Sequence, residues 1–402
     1  MSVDWTGARD LAHRAGVTAR GAAEAVPIHD ADGLVLADPL RAGTDLPAFA
    51  TSNVDGWAVR GPGPWRVVGR VLAGTVAPPL PVDGAGVAVE IATGAMVPAG
   101  TEAILRTEES HRDPDGRVTG DPRPAREWRV PGDEATLGDQ LAPAGANVTP
   151  ALIGLAAAAG HDTLSARPRP RVAVRVFGDE LLTEGPARDG RIRDALGPAL
   201  PSWLRRLGAD PTTAPPPIRD TLDAHVAAVR DALGEADLVC TTGGTMHGPV
   251  DHLHPALRRL GATYLVDTVA VRPGYPMLLA SVSGPDGRAR FVAGLPGNPQ
   301  SAIIALLTLV APLLAGLRGG PPPPLGEVTL GEPIPGRGGD THLSLVRVDG
   351  PVAWPLRHVG SAMLRGLSSA VGFAVIAGGA TGRAGDTVPL LPLPLTPGEA
   401  PR

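Results

Sequence analysis

The chain has one cysteine, Cys240, and no lysine, so all 36 of its basic residues are arginine. A single thiol excludes an intrachain disulfide framework and any zinc or iron–sulfur site built from several cysteines, and it suits a reducing cytoplasm. A basic tail is also missing. With a formal net charge of −5, a nonspecific electrostatic grip on nucleic acid has no source, and nucleic acid is not expected as a partner. From Met1 to Gly21 no apolar core stands between basic flanks, so no signal peptide is read. Only the run Ser301 to Leu317 approaches membrane length. It falls short of the roughly 20 residues a bilayer needs, contains Pro312 and follows a loop, and therefore reads as a buried helix, with no membrane contact expected.

What the chain does have is length and apolar content. Its 402 residues imply several packed units, and 43% hydrophobic residues imply folding despite 53 glycines and 45 prolines. Asp4 to about Ala50 reads as one or two helices, with Leu34 to Leu40 an apolar segment. From Trp57 to Leu141 short β-like runs (Trp65 to Val71, Val87 to Ile91, Ala103 to Thr107) suggest a small β unit, with Asp115-Gly116 at a turn. Thr149-Pro150 opens a helix that Gly160 closes, and Arg167 to Pro170 is a linker. Strand-like runs (Arg171 to Val176, Asp237 to Thr241, Thr263 to Val271, Arg290 to Ala293) then alternate with helices, as in an α/β sheet covered on both faces. Asp220 can cap a helix carrying the stripe Leu222, Val226, Val229 and Leu233. The run Pro321 to Pro324 is a stiff spacer, and His342 to Val348 and Phe373 to Ile376 belong to a small C-terminal β domain.

The strongest local chemical signal is the strand ending Leu238-Val239-Cys240 that opens into Thr241-Thr242-Gly243-Gly244-Thr245. Paired glycines after a strand let backbone N–H groups approach a phosphate, although a tight βα turn needs glycine for steric reasons too. A second loop, Gly294-Leu295-Pro296-Gly297-Asn298-Pro299, leads into the long apolar helix, whose N-terminus would favour an anion or simply begin a helix. Asp55, Glu180, Asp220 and Asp251 recur at loop or helix-start positions. Beside a phosphate, carboxylates imply an intervening divalent cation, and oxygen ligands suit Mg²⁺; for Asp220 and Asp251, helix capping is the competing reading. His247, His252 and His254 cluster near the glycine loop but match no common zinc spacing, and Cys240 lies in an apolar strand where burial leaves it inert.

Taken together, the motifs resemble the molybdopterin molybdenumtransferases of the MoeA type, which include the E domain of gephyrin. Ser52-Asn53-Val54-Asp55-Gly56-Trp57-Ala58 is similar to the family's S-x-M-D-G-Y-A, and Ile91-Ala92-Thr93-Gly94-Ala95 with Val97-Pro98-Ala99-Gly100 to its I-x-T-G-A-x-x-P-x-G. Gly178-Asp179-Glu180-Leu181 matches the end of T-G-D-E-L, and Gly243-Gly244 with Gly248 and Asp251 resembles G-G-x-S-x-G-x-x-D. Pro273-Gly274-Tyr275-Pro276 resembles P-G-K-P, Leu295-Pro296-Gly297-Asn298-Pro299 matches L-P-G-N-P, and Gly360-Ser361-Ala362-Met363-Leu364 looks like G-S-G-M-L.

The resemblance implies a multidomain α/β protein: an elongated domain I (residues 1–45 and 142–168), a small β domain II (46–141), an α/β molybdopterin-binding domain III (169–318) and a C-terminal β domain IV (319–402). It implies a cytoplasmic homodimer with an inter-subunit site that uses Mg²⁺ and molybdate to convert adenylylated molybdopterin with release of AMP, and contact with other proteins of the cofactor pathway. Asp55, Glu180, Asp220 and Asp251 are the implied catalytic residues. Thr93, Gly243, Gly244, Thr245, Arg272, Pro296, Gly297, Asn298 and Ser361 are the implied binding residues, and Glu180, Asp220, Asp251 and Glu134 the metal set. The pocket departs from the pattern at Phe177, Ala195-Leu196, Met246, Thr268 and Tyr275, and Arg272 stands at another lysine position. A shift to arginine alone would have kept the cations, whereas Thr268 and Tyr275 do not. The departures motivate an alternative, a paralogue that binds a pterin or nucleotide ligand or a partner protein without turnover. A third reading is an enzyme for a different nucleotide-like ligand.

Overall fold

The computed structural model describes residues 2–81, 86–123, 126–245, 251–284, 286–357 and 360–394. The chain packs as two compact units, one of residues 1–24, 33–37 and 166–402 and one of residues 25–32 and 38–165. Helix α1 (Trp5–Ala19) begins where Asp4 Oδ1 accepts the Gly7 N–H at 2.8 Å, and it buries Trp5, Ala8, Arg9, Ala12 and Gly16, one face at helical spacing. No second α-helix follows before residue 50. Pro27, Pro39 and Pro47 and the left-handed Gly33 (φ 71°) break the backbone into short strands such as Val35–Leu36 and Leu40–Arg41.

The unit of residues 38–165 is built on four strands: β1 (Gly56–Arg60), β2 (Arg66–Val71), β3 (Val87–Ile91) and β4 (Ala103–Arg106), in the order β2-β3-β1-β4. Alternate residues face opposite ways. Ala58, Val89, Ile91 and Ile104 bury on one side, while Trp57, Val59, Ala88 and Leu105 bury on the other with Trp65 and Val118. A hairpin, Ser110–Arg112 with Val118–Gly120, turns through Gly116 at φ 79°. Helix α2 (Pro150–Ala158) is capped by Thr149, whose hydroxyl accepts the Leu152 N–H at 3.2 Å, and Gly160 (φ 89°) follows its end.

The larger unit contains a six-stranded sheet. Its central strands are β5 (Arg171–Val176), β7 (Leu238–Thr242) and β11 (Ala289–Leu295), all parallel, with β6 (Asp210–Pro211) at one edge. β10 (Leu278–Ser283) and β8 (Thr263–Val266) add antiparallel strands at the other edge. Every residue of β7 is buried, as a strand covered on both faces requires. α3 (Leu200–Arg206) packs on one face, and α4 (Leu222–Leu233) and α5 (Leu253–Arg259) cover the other. On α4 the buried stripe is His225, Val229, Ala232 and Leu233; Leu222 and Val226, expected in it, lie at its margin.

The run expected as one strand from Thr263 to Val271 divides at Asp267-Thr268. The Val3 N–H donates to the Thr268 carbonyl, and β9 (Val269–Arg272) pairs with Val3–Asp4 on one side and with β13 (Thr341–Asp349) on the other. It thereby joins the C-terminal strands β12 (Gly326–Leu330), β14 (Val352–Pro355), β15 (Gly372–Ile376) and β16 (Thr387–Pro392), which close with β13 through the β13–β15 pairing.

Helix 299–318 lies almost wholly buried in this unit, in agreement with the buried-helix reading. It runs as α6 (Pro299–Ala305), one π turn (Leu306–Val310) and α7 (Ala311–Arg318), and Pro312, which has no N–H to donate, stands just after the wide turn. α1 closes over it: Arg9 Nη1 donates to Leu307 O at 3.0 Å, and Trp5 Nε1 donates to Thr308 Oγ1 at 3.0 Å. The helices touch backbone to backbone. A Cβ on Gly16 would run into the Leu313 carbonyl oxygen, and one on Gly316 into that of His13. Gly16→Ala should therefore destabilise this unit by about 2–3 kcal/mol, the usual cost of overpacking. Gly154→Ala, where a Cβ in α2 meets nothing within 4 Å, should stabilise by about 0.5–1 kcal/mol. Chemical denaturation of the two variants checks both signs.

Candidate functional site

In the larger unit, the carboxyl ends of β5, β7 and β11 open into a cavity of about 560 Å³. Such an edge is where open α/β sheets bind ligands, because the loops there are free to diverge. Its floor is the Thr242–Thr245 turn. Gly243 (φ 83°) and Gly244 (φ 64°) are both left-handed, and a Cβ on Gly243 would stand 3.1 Å from the Phe177 carbonyl oxygen. The turn thus needs glycine for steric reasons, and the same absence of side chains leaves the backbone open to a ligand. Gly297 of the second glycine loop approaches the Gly243 Cα from across the cavity, and Asn298 lines it as well.

Glu180 and Asp251 line this cavity. Asp220 is not the cap of α4: Thr221 caps that helix through its hydroxyl, and Asp220 Oδ2 accepts the Asp179 N–H at 3.2 Å. It positions the turn that carries Glu180. No group of three His, Cys, Asp or Glu side chains among the described residues is arranged to hold a metal ion, so the expected carboxylate set does not assemble by itself. The histidines do not do so either. His252 packs edge-on against His225, His254 Nδ1 and the Tyr264 hydroxyl hydrogen-bond at 2.8 Å, and His247 lies outside the described residues with Gly248 and Met246.

Phe177 does line the cavity. Its ring stacks on His225 with centroids 3.7 Å apart, and His225 is fully buried with Nδ1 against the Thr221 carbonyl. Burial pulls the imidazole below its ordinary pKa, so it stays neutral. Leu196, from the Ala195-Leu196 pair, is 6% exposed in the core beneath. Asp194 holds this turn by accepting the Leu196 and Gly197 N–H groups at 2.9 Å each, and it lines the cavity; sequence reading passed over it, although an Asp before a turn glycine is a visible signal. Cys240 is buried, and desolvation pushes its thiol up to about 12, which makes it inert.

A second cavity of about 680 Å³ lies between the Arg272–Tyr275 loop and the C-terminal strands. Arg272 is not an uncommitted cation there: its Nε donates to Asp340 Oδ2 at 2.8 Å, and its guanidinium lies 4.8 Å over the Tyr275 ring. Thr268 lines neither cavity. The Ser361 carbonyl accepts the Gln300 N–H at 2.9 Å and the Ser301 N–H at 3.3 Å. The start of α6, expected to favour an anion, is therefore capped by the protein itself, and Asn298 Nδ2 donates to Ser361 Oγ at 3.3 Å. Pro296 belongs to the same loop but lines neither cavity.

The smaller unit carries the remaining acids. The Ser52–Ala58 and Ile91–Ala95 motifs are hydrogen-bonded side by side: Ser52 N–H donates to Ala95 O, Gly94 N–H donates to Ser52 O, and Gly56 pairs with Ile91. Asp55 Oδ1 accepts both the Thr93 N–H at 2.6 Å and its hydroxyl at 3.0 Å, which holds the carboxyl below its ordinary pKa. Glu134 is paired with Arg129 at 2.9 Å.

Models of three protein regions match the chain: "MoeA N-terminal region (domain I and II)" over residues 5–160, "Probable molybdopterin binding domain" over 173–316 and "MoeA C-terminal region (domain IV)" over 327–393. A molybdopterin molybdenumtransferase of Synechococcus elongatus is 32% identical, the match covering 74% of this chain and 76% of that one. The enzyme of that name from a Nostoc species is 31% identical, covering 74% and 70%. The crystal structure of a molybdopterin biosynthesis MoeA protein from Pyrococcus horikoshii superposes with a TM-score of 0.79 at 25% identity, covering 98% of this chain and 100% of that one.

The Asp55–Thr93 contact sets a pH dependence. A lowered carboxyl contributes order above its unfolded value of about 3.9 and loses that contribution as the pH falls through the lower folded value. Thr93 amide protection, taken relative to the intrinsic exchange rate at each pH, should be high at pH 6, fall as the pH drops from the unfolded value through the lower folded one, and be low throughout in Asp55→Ala. Equal protection in the variant would show that the carboxylate does not hold the loop.

Proposed function

Because this chain belongs to the MoeA family of molybdopterin molybdenumtransferases, we propose that it inserts molybdenum from molybdate into adenylylated molybdopterin and releases AMP in molybdenum cofactor biosynthesis. The observation that carries this reading is the cavity in which the Gly243-Gly244 turn, Glu180 and Asp251 meet. Backbone N–H groups at such a turn suit a phosphate, and two carboxylates lining the same cavity suit a magnesium ion. Glu180 and Asp251 would hold Mg²⁺, with Asp220 fixing the Glu180 turn through Asp179. A bound Mg²⁺ would neutralise the charge of the phosphoanhydride from which AMP leaves. The chain's own share is to cradle the phosphate on the glycine turn, hold the carboxylates in place and keep the Phe177–His225 stack neutral at the wall. This reading also takes the protein as a cytoplasmic homodimer with a shared site, in which Asp55, Thr93 and Glu134 serve the reaction, and as a partner of other pathway proteins. Light scattering in solution tests the dimer.

A second reading, binding without turnover, draws on Arg272 being tied to Asp340 and on Tyr275 and Phe177 standing where polar groups were expected. One assay separates the two. Molybdate-dependent AMP release by the purified protein, reduced about 100-fold or more in Glu180→Gln, is the expected result, a loss typical of removing one charge-stabilising group. Tight binding of molybdopterin with no AMP above a protein-free control would favour the second reading.

A further inference from the structure

We propose that Arg106 and Glu127 are positioning residues for Asp55: their forked ion pair closes a ring of contacts around residues 53–55 and sets where the Asp55 carboxylate stands. The proposal rests on the role given to Asp55 above, and every residue in it belongs to the unit of residues 38–165. Asp55 and Thr93 are both exposed, and Asp55 sits on the short turn between the strand Thr51–Ser52 and β1. Two sides hold that turn. On one, the Thr107 N–H donates to the Asp55 carbonyl at 3.1 Å, and Thr107 follows Arg106, the last residue of β4, which pairs with Gly56. On the other, the Asn53 N–H donates to the Glu127 carbonyl at 2.9 Å, and Trp128–Arg129 pairs with Thr51–Ser52.

The fork joins the two sides. Arg106 Nε donates to Glu127 Oε1 at 2.8 Å and Arg106 Nη2 donates to Oε2 at 3.1 Å, so the ring runs from Asp55 through Thr107, Arg106, Glu127 and Asn53 back to Asp55. Glu127 is only 8% exposed, and a bidentate charge-assisted pair withdrawn from water fixes angle as well as distance. The ladder at Trp128–Arg129 has two residues, too few to hold that strand in place alone. The other charges nearby do not compete for the fork: Arg123, 4.0 Å from Glu127 Oε1, is paired with Glu109, and Glu108 acts on Arg106 only through its charge.

Asp55 is sensitive to its placement. Its Oδ1 accepts both the Thr93 N–H and the Thr93 hydroxyl, and hydrogen bonds weaken steeply once their geometry is lost. The backbone leaves no slack on the β4 side, since a Cβ on Gly56 would run into the Leu105 carbonyl oxygen. Opening the fork frees the Glu127 side, and with it Asn53.

NMR titration of the Asp55 carboxyl in the full chain and in Glu127→Gln tests the proposal. The carboxyl, held below its ordinary value in the natural protein, should rise toward about 3.9 in the variant, with Thr93 amide protection lower by about tenfold or more, the hold of one charge-assisted hydrogen bond. The sign is decisive, because removing a nearby negative charge by itself lowers a carboxyl's pKa, so a rise reports displacement from Thr93. Protection at Ala58 and Val89 shows that the unit stays folded; where it is lost, Arg106→Lys, which keeps the charge but not the fork, is read by the same criteria. AMP release should fall in Glu127→Gln and fall no further when Glu127→Gln is added to Asp55→Ala. Undiminished AMP release by Asp55→Ala would overturn the role of Asp55, and with it the functional meaning of the ring, even where the titration shows that the ring holds. An Asp55 titration unchanged or lowered in the folded variant, with Thr93 protection kept, overturns the proposal itself.

Discussion

The close crossing of α1 over helix 299–318 is the contact on which the rest of the larger unit depends. Gly16 and Gly316 let the two backbones meet, and Arg9 and Trp5 satisfy polar groups of the π turn that would otherwise be buried without partners. The crossing also places Val3–Asp4 beside β9, the strand that joins the C-terminal sheet to the α/β domain. At its other end, helix 299–318 begins at Asn298, on the rim of both cavities. The packing of one buried helix thus fixes the geometry of the candidate site.

The site combines glycine loops that match the family's motifs with altered side chains. Gly243, Gly244 and Gly297 line the cavity with backbone, and Glu180 and Asp251 line it as well. Where the family pattern has polar or cationic groups, this chain has the Phe177–His225 stack and the Arg272–Tyr275–Asp340 cluster. The substitutions are structurally absorbed: an aromatic ring found a partner, and a cation found an acid. In the proposed function, catalysis rests on the glycine-turn backbone and the carboxylates, since the chain has no lysine.

Much of the fold was legible because local signals agreed with it. Thr149-Pro150 before an apolar run did start a helix, Asp115-Gly116 did turn a hairpin, and the apolar run before Gly243 is a fully buried strand. Asp220 was misread because a capping residue and its neighbour look alike in sequence; Thr221 took the cap. The division of Thr263 to Val271 depends on the N-terminal strand, a partner more than 250 residues away that periodicity cannot see. The capping of α6 by Ser361 and the pairing of Arg272 with Asp340 are equally nonlocal, so an apparent anion site and a free cation were expected where the fold supplies its own partners.

The most direct test of the central claim, that the Gly243-Gly244 backbone holds the phosphate of the substrate, is the affinity of adenylylated molybdopterin for Gly244→Ala, with thermal stability followed in parallel. The account predicts binding at least tenfold weaker in a variant that remains folded at the assay temperature, because a Cβ there crowds a left-handed turn close to the His225 ring. Unchanged affinity in the folded variant would contradict it and move the ligand to another part of the structure.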